Sequence, residues 1–211
     1  MQYVSKDYKQ IPSYIFIILY IITGSLSNYG AIDILAPQWI YLGCINIFVC
    51  SYILFATQEF KEPFYKLFST LYIYVYIFYF IWNTFSYLYA VNPTETLINL
   101  PRIGNSFFAV FFCTLLIYNI PNRFNFVCGV FFTFLLAEMI SYYYDLSVVY
   151  PEQGLRVIAI KGFAGNKNIT AASIAFKIPF AIYFFLNSKK AFFKATSFLI
   201  LTAGIFAISL I

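Results

Sequence analysis

Arg156, Lys161, Lys167 and the asparagines Asn166 and Asn168 fall within a short polar stretch, "RVIAIKGFAGNKN". Gly162 and Gly165 punctuate it and free the backbone for positive φ or for close approach to another group. Asn168 precedes "ITAASIAFKI", which is apolar with a helical pattern, and Asn is a favoured N-cap. The opening turn of such a helix carries partial positive charge and unpaired N–H groups, which suit an anion. The small residues Thr170, Ala171, Ala172 and Ser173 leave that turn uncrowded. Cations on a loop with a helix start read as an anion site, most naturally for a diphosphate. The plainer reading is an ordinary helix cap with lysines near lipid headgroups, and the residues alone leave both open. Asn168-Ile169-Thr170 also fits the N-glycosylation pattern. At the start of an apolar helix the match reads as chance.

A second polar stretch is "YAVNPTETLINLPR", residues 89–102. Asn92-Pro93 favours a turn, and Pro93 could open a short interfacial helix through Thr94, Glu95 and Thr96. Arg102 closes the stretch. It is either a second phosphate contact, suited by guanidinium geometry, or a snorkelling side chain. Two more charges, Glu138 and Lys177, lie inside long apolar runs. An unpaired charge at mid-membrane costs on the order of 2.5–3.5 kcal/mol on insertion scales. Their depths below the outer helix ends are roughly 9 and 13 Å at 1.5 Å per residue, so the two should pair. Independent snorkelling is the alternative. Pro179 removes a backbone donor two residues after Lys177 and should kink its helix.

These groups are set in a membrane protein. The 211-residue chain is 62% hydrophobic and only 10% charged, with a mean hydropathy of +0.80. Its apolar residues come in runs near the roughly 20 needed for a membrane helix, without the alternation of a β-barrel. The expectation is an all-α, polytopic transmembrane bundle forming one membrane domain over residues 1–211. Seven spans are expected, near 12–28, 34–57, 67–90, 103–120, 125–144, 169–187 and 195–211. The gaps place Lys6, Lys9, Lys61, Lys66, Arg123, Lys189, Lys190 and Lys194 on one side. Arg102, Arg156, Lys161 and Lys167 fall on the other, so the first side, with the amino terminus, is expected to be cytoplasmic. Ser25-Leu26-Ser27 has the small-x-small form of a signal cleavage site, but the bulky apolar stretch before it is longer than most signal h-regions. It reads as a retained span.

Composition also excludes some chemistry. There is no histidine, the commonest general base and metal ligand. Cys44, Cys50, Cys113 and Cys128 lie in apolar runs without C-x-x-C spacing and read as buried small residues. No metal or other cofactor is expected. The net charge of +5 is scattered through short loops rather than gathered in a basic stripe, so nucleic acid is not an expected partner.

The two polar stretches together resemble the bacterial O-antigen ligase and polymerase family. One signature is an aromatic-rich span running into "YAVNPTETLINLPR"; the other is "RVIAIKGFAGNKNITAASIAFKIPFAIYF". The second carries Arg156, Gly162, Gly165, Asn166, Asn168, Ala171 and Pro179 in the family's order, with Lys167 where many members have proline. The resemblance covers about residues 70–211; earlier spans match only in hydropathy. It implies glycosyl transfer at the extracytoplasmic face of the bacterial inner membrane. The donor would be a glycan on undecaprenyl diphosphate, and the acceptor a lipid A core, another glycan or a protein. It further implies a diphosphate site of Arg156, Asn166, Lys167, Asn168 and Arg102, with Gly162, Gly165, Glu138, Lys177 and Pro179 structural. Family members have about a dozen spans and a later outer loop with a catalytic histidine. The chain is therefore expected to be the front part of a longer enzyme, lacking its catalytic base. A transporter or flippase for a lipid-linked anionic glycan is the alternative. It would need an inverted repeat with a second broken, charged span, and only one such span is evident.

Overall fold

The computed structural model describes residues 4–23, 36–153 and 167–210. Among these the chain is all helical, with eight α-helices: α1 Val4–Ile22, α2 Ala36–Phe55, α3 Thr57–Phe68, α4 Leu71–Phe85, α5 Pro93–Tyr118, α6 Arg123–Gln153, α7 Lys167–Asn187 and α8 Ala191–Leu210. It divides into two compact units, with α1 to α5 in the first and α6 to α8 in the second.

Five helices are long and apolar enough to cross a membrane: α2, α5, α6, α7 and α8. A sixth span is reached if α3 and α4 count as one bent pair. The apolar part of α1 is shorter, Gln10–Ile22. The protein is therefore a multi-pass membrane protein by helix length and apolarity. Its outer surface fits: Phe55, Tyr72, Leu71 and Phe192 are among many large apolar side chains left exposed, as lipid contact allows.

Several boundaries differ from the sequence expectation, each for a local reason. The charged segment after the second span was expected as a loop, yet it forms α3. Phe60, Pro63 and Leu67 are buried along one face at helical spacing, while Glu62 and Lys66 pair at 2.6 Å on the exposed side. The third span, expected from residue 67, starts instead at Leu71, because the chain turns by 84° at Ser69–Thr70. Thr70 and Ser69 hydroxyls donate to the Leu67 and Lys66 carbonyls there and satisfy the open end of α3. The expected interfacial helix and fourth span are one helix, α5. Asn92 accepts from the Glu95 backbone N–H at 3.2 Å, Pro93 takes the first position, and the helix runs on through Pro101. Arg102 is therefore inside a helix rather than at its end. Likewise α6 continues to Gln153, past the expected end at residue 144. With 31 residues it is about 47 Å long, well beyond the ~30 Å of a hydrocarbon core.

The first unit is held by side chains of α1, α2 and α5. Tyr20 donates to Asn46 Oδ1 at 2.8 Å, and Asn46 Nδ2 donates to the Asn105 carbonyl at 3.0 Å. Gly43 keeps the crossing close: a Cβ there would stand 3.5 Å from the Asn105 amide. Inside apolar surroundings such a satisfied network fixes helix register. In the second unit Phe132, Leu135, Met139, Tyr142, Ile174, Ala181, Ile200 and Ala207 form one apolar core across α6, α7 and α8.

Candidate functional site

The second unit carries a polar track on α7. Thr170, Ser173 and Lys177 recur at i, i+3 and i+7, so they share one face of the helix. Thr170 is fully buried. Lys177 Nζ donates to Ser173 Oγ and forms a salt bridge of 2.7 Å with Glu138 Oε2 on α6. The two side chains are only 13% and 4% exposed, so this is an ion pair inside the bundle. Each charge is costly there alone; together, with the serine as a third partner, they leave no net charge. Lys177 lies ten residues after Lys167, hence about 15 Å along the helix from its start. The track thus runs from the opening turn of α7 into the core of the unit.

The helix opens at Lys167. Asn168, expected as the N-cap, is its second residue, and its side chain is exposed. Arg156, Lys161, Gly162, Gly165 and Asn166 lie outside the described residues. Pro179 sits within α7, which continues unbroken to Asn187. Gly204 of α8 permits close approach to this helix, since a Cβ there would meet Ile174 Cγ2 at 3.5 Å. Tyr143 ties α6 to α8 by donating to the Ala203 carbonyl at 2.9 Å.

Arg102 belongs to the first unit. It is partly buried on α5, with Nη1 3.5 Å from Asn99 Oδ1. It lines a cleft there with Trp39 and Asn83, neither of which the sequence reading singled out. The signal for that cleft was present in the spacing of Tyr76, Phe80 and Asn83, which share one face of α4. No group of three or more histidine, cysteine or carboxylate side chains is placed to hold a metal among the described residues.

No family model, curated protein or solved structure matches the chain.

Proposed function

We propose that the protein is an integral-membrane glycosyltransferase of the O-antigen ligase and polymerase type. It would take glycan from an undecaprenyl-diphosphate carrier at the extracytoplasmic face of the bacterial inner membrane and pass it to a lipid A core, a glycan or a protein. The observation that carries this reading is the polar track of α7, which begins at the Asn-Lys-Asn end of the cationic segment and descends to Lys177 and Glu138. A lipid-linked substrate has its diphosphate at the headgroup level and its chain in the bilayer, so a cationic helix start over a polar-tracked bundle suits it.

In this reading Arg156, Lys167 and the asparagines Asn166 and Asn168 hold the diphosphate. Negative charge grows on that group as the sugar–phosphate bond breaks, and fixed cations and N–H donors stabilise it without having to reorganise. Arg102 is a further cation for the headgroup region. Lys177 is neutralised by Glu138 and so serves architecture rather than anion binding.

The reading is tested in a strain lacking the gene, complemented with wild type or Arg156→Ala and compared by the size distribution of surface glycans. The deletion is expected to lose transferred chains and to accumulate the lipid-linked donor. Arg156→Ala, at equal protein level, is expected not to restore them. Full restoration by Arg156→Ala would remove that residue from the site.

A further inference from the structure

At one end of the second unit the ends of its three helices come together. α7 closes at Asn187 and α8 opens at Ala191, so only a short connection separates them. The start of α6 lies beside the end of α7. There the Tyr183 hydroxyl donates to Asn125 Oδ1 at 2.5 Å, and the Phe124 ring packs edge-on against Tyr183 with centroids 5.0 Å apart. Lys189, Lys190 and Lys194 stand at this end, and all three are exposed. The Lys194 backbone N–H donates to the Lys190 carbonyl at 3.2 Å, which sets these two one turn apart at the opening of α8.

The charge on this surface is of one sign. Residues 167–210, which span α7, α8 and their connection, contain no aspartate or glutamate. None of the three ammonium groups has an ion-pair partner among the described residues. On α6 the first carboxylate after Arg123 is Glu138, about 22 Å along the helix, and it is taken by Lys177. The first unit differs. On α3 the cations Lys61 and Lys66 are matched by Glu59 and Glu62, and Lys66 pairs with Glu62 at 2.6 Å. Large apolar side chains are interleaved with the lysines of the second unit. Phe192 and Phe193 lie between Lys190 and Lys194, Phe185 and Leu186 lie in the last turn of α7, and all four are exposed. The surface is therefore cationic and apolar at once, as an amphiphile with an anionic head requires.

We propose that this end of the second unit binds the headgroups of anionic phospholipids in the adjoining leaflet. Lys189, Lys190 and Lys194 take the phosphates, while Phe192, Phe193 and Leu186 lie against the glycerol and the first acyl carbons. Lysines just outside membrane helices attract acidic lipid, and the attraction acts within a Debye length, about 8 Å at physiological salt. An ammonium on a flexible stem is a movable point charge with three donors, which suits lipids that exchange at a shared surface. The interleaved apolar side chains favour a lipid over a free anion. The inference stands on the lysines of the second unit and does not require the transferase reading.

The test uses the purified protein, with its four cysteines replaced, in nanodiscs of mixed phosphatidylcholine and phosphatidylglycerol. A donor fluorophore is attached at Ala191→Cys, among the lysines, or at Gln58→Cys on α3; both positions are exposed. A trace of either lipid carries an acceptor on its acyl chain, and energy transfer reports its local enrichment. Phosphatidylglycerol is expected to be enriched about threefold over phosphatidylcholine at residue 191 and hardly at all at residue 58. Lys189→Gln, Lys190→Gln and Lys194→Gln together are expected to abolish the enrichment, and Lys189→Arg, Lys190→Arg and Lys194→Arg together to keep it. Equal transfer from the two lipids at residue 191, an enrichment as large at residue 58, its survival in the glutamine variant or its loss in the arginine variant would overturn the surface. Its removal by inorganic phosphate at constant ionic strength would overturn the lipid as the occupant. None of these failures bears on the transferase reading, whose test uses Arg156.

Discussion

Glu138 and Lys177 are the most consequential side chains in the second unit because neither is tolerable alone. Their carboxylate and ammonium meet at 2.7 Å inside the bundle, with Ser173 as a third partner. Removing one partner strands the other charge, which costs about 3–5 kcal/mol at buried sites. Replacing both by apolar groups of similar size removes both desolvation costs. Glu138→Ala or Lys177→Met alone is therefore expected to lower the thermal midpoint in detergent sharply, and Glu138→Leu with Lys177→Met to recover most of it. Equal loss in single and double variants would show that the pair does not act as a unit. This contact was legible in the sequence, since two charges at similar depth in apolar runs have few other solutions. Asn46 was not. It has the same kind of role in the first unit, but an asparagine in a membrane helix carries no charge to betray it, and its partners Tyr20 and Asn105 lie far off in sequence.

Among the elements, α3 shows what hydropathy alone misses. α3 is too polar to register as a span and too regular to be a loop. Lys61, Glu62 and Lys66 are exposed while Phe60 and Leu67 are buried, and the chain turns 84° into α4. A helix lying at the membrane surface before the chain enters it would have this geometry. In a background with the four cysteines replaced, Lys61→Cys is expected to react with a membrane-impermeant maleimide. Val75→Cys on α4, also exposed but facing lipid in this account, is expected not to react. Equal labelling at both positions would contradict an interfacial α3. On α8, a methyl at Gly204 would stand 3.5 Å from Ile174, ordinary van der Waals contact, so Gly204→Ala should be tolerated. Gly204→Leu must push α7 and α8 apart and is expected to cost about 1–3 kcal/mol, read by thermal unfolding. The long runs of α2, α5, α6, α7 and α8 were plain from apolarity. The ends of α2 and α7 fall within two residues of expectation, whereas the start of α5 does not, because capping by Asn92 and continuation through Pro101 depend on side-chain and backbone geometry that hydropathy does not encode.

At the scale of the whole molecule, the all-helical, multi-pass architecture followed from composition, since 62% hydrophobic residues in long runs leave few other folds. The candidate diphosphate site was legible only as a pattern of residue types. Arg156, Gly162, Gly165 and Asn166 lie outside the described residues. Arg102 falls in the first unit and Lys167 and Asn168 in the second.

The most direct measurement follows that diphosphate. Undecaprenyl-linked glycan is pulse-labelled in cells with and without the gene, and the label is chased through the lipid and surface fractions. The account predicts that with the gene the label leaves the lipid and appears covalently on an acceptor, and that without it the label stays on undecaprenyl diphosphate at the extracytoplasmic face. Label that instead remains on the cytoplasmic leaflet of the deletion strain, with transfer intact once it has crossed, would contradict a transferase and identify a transporter.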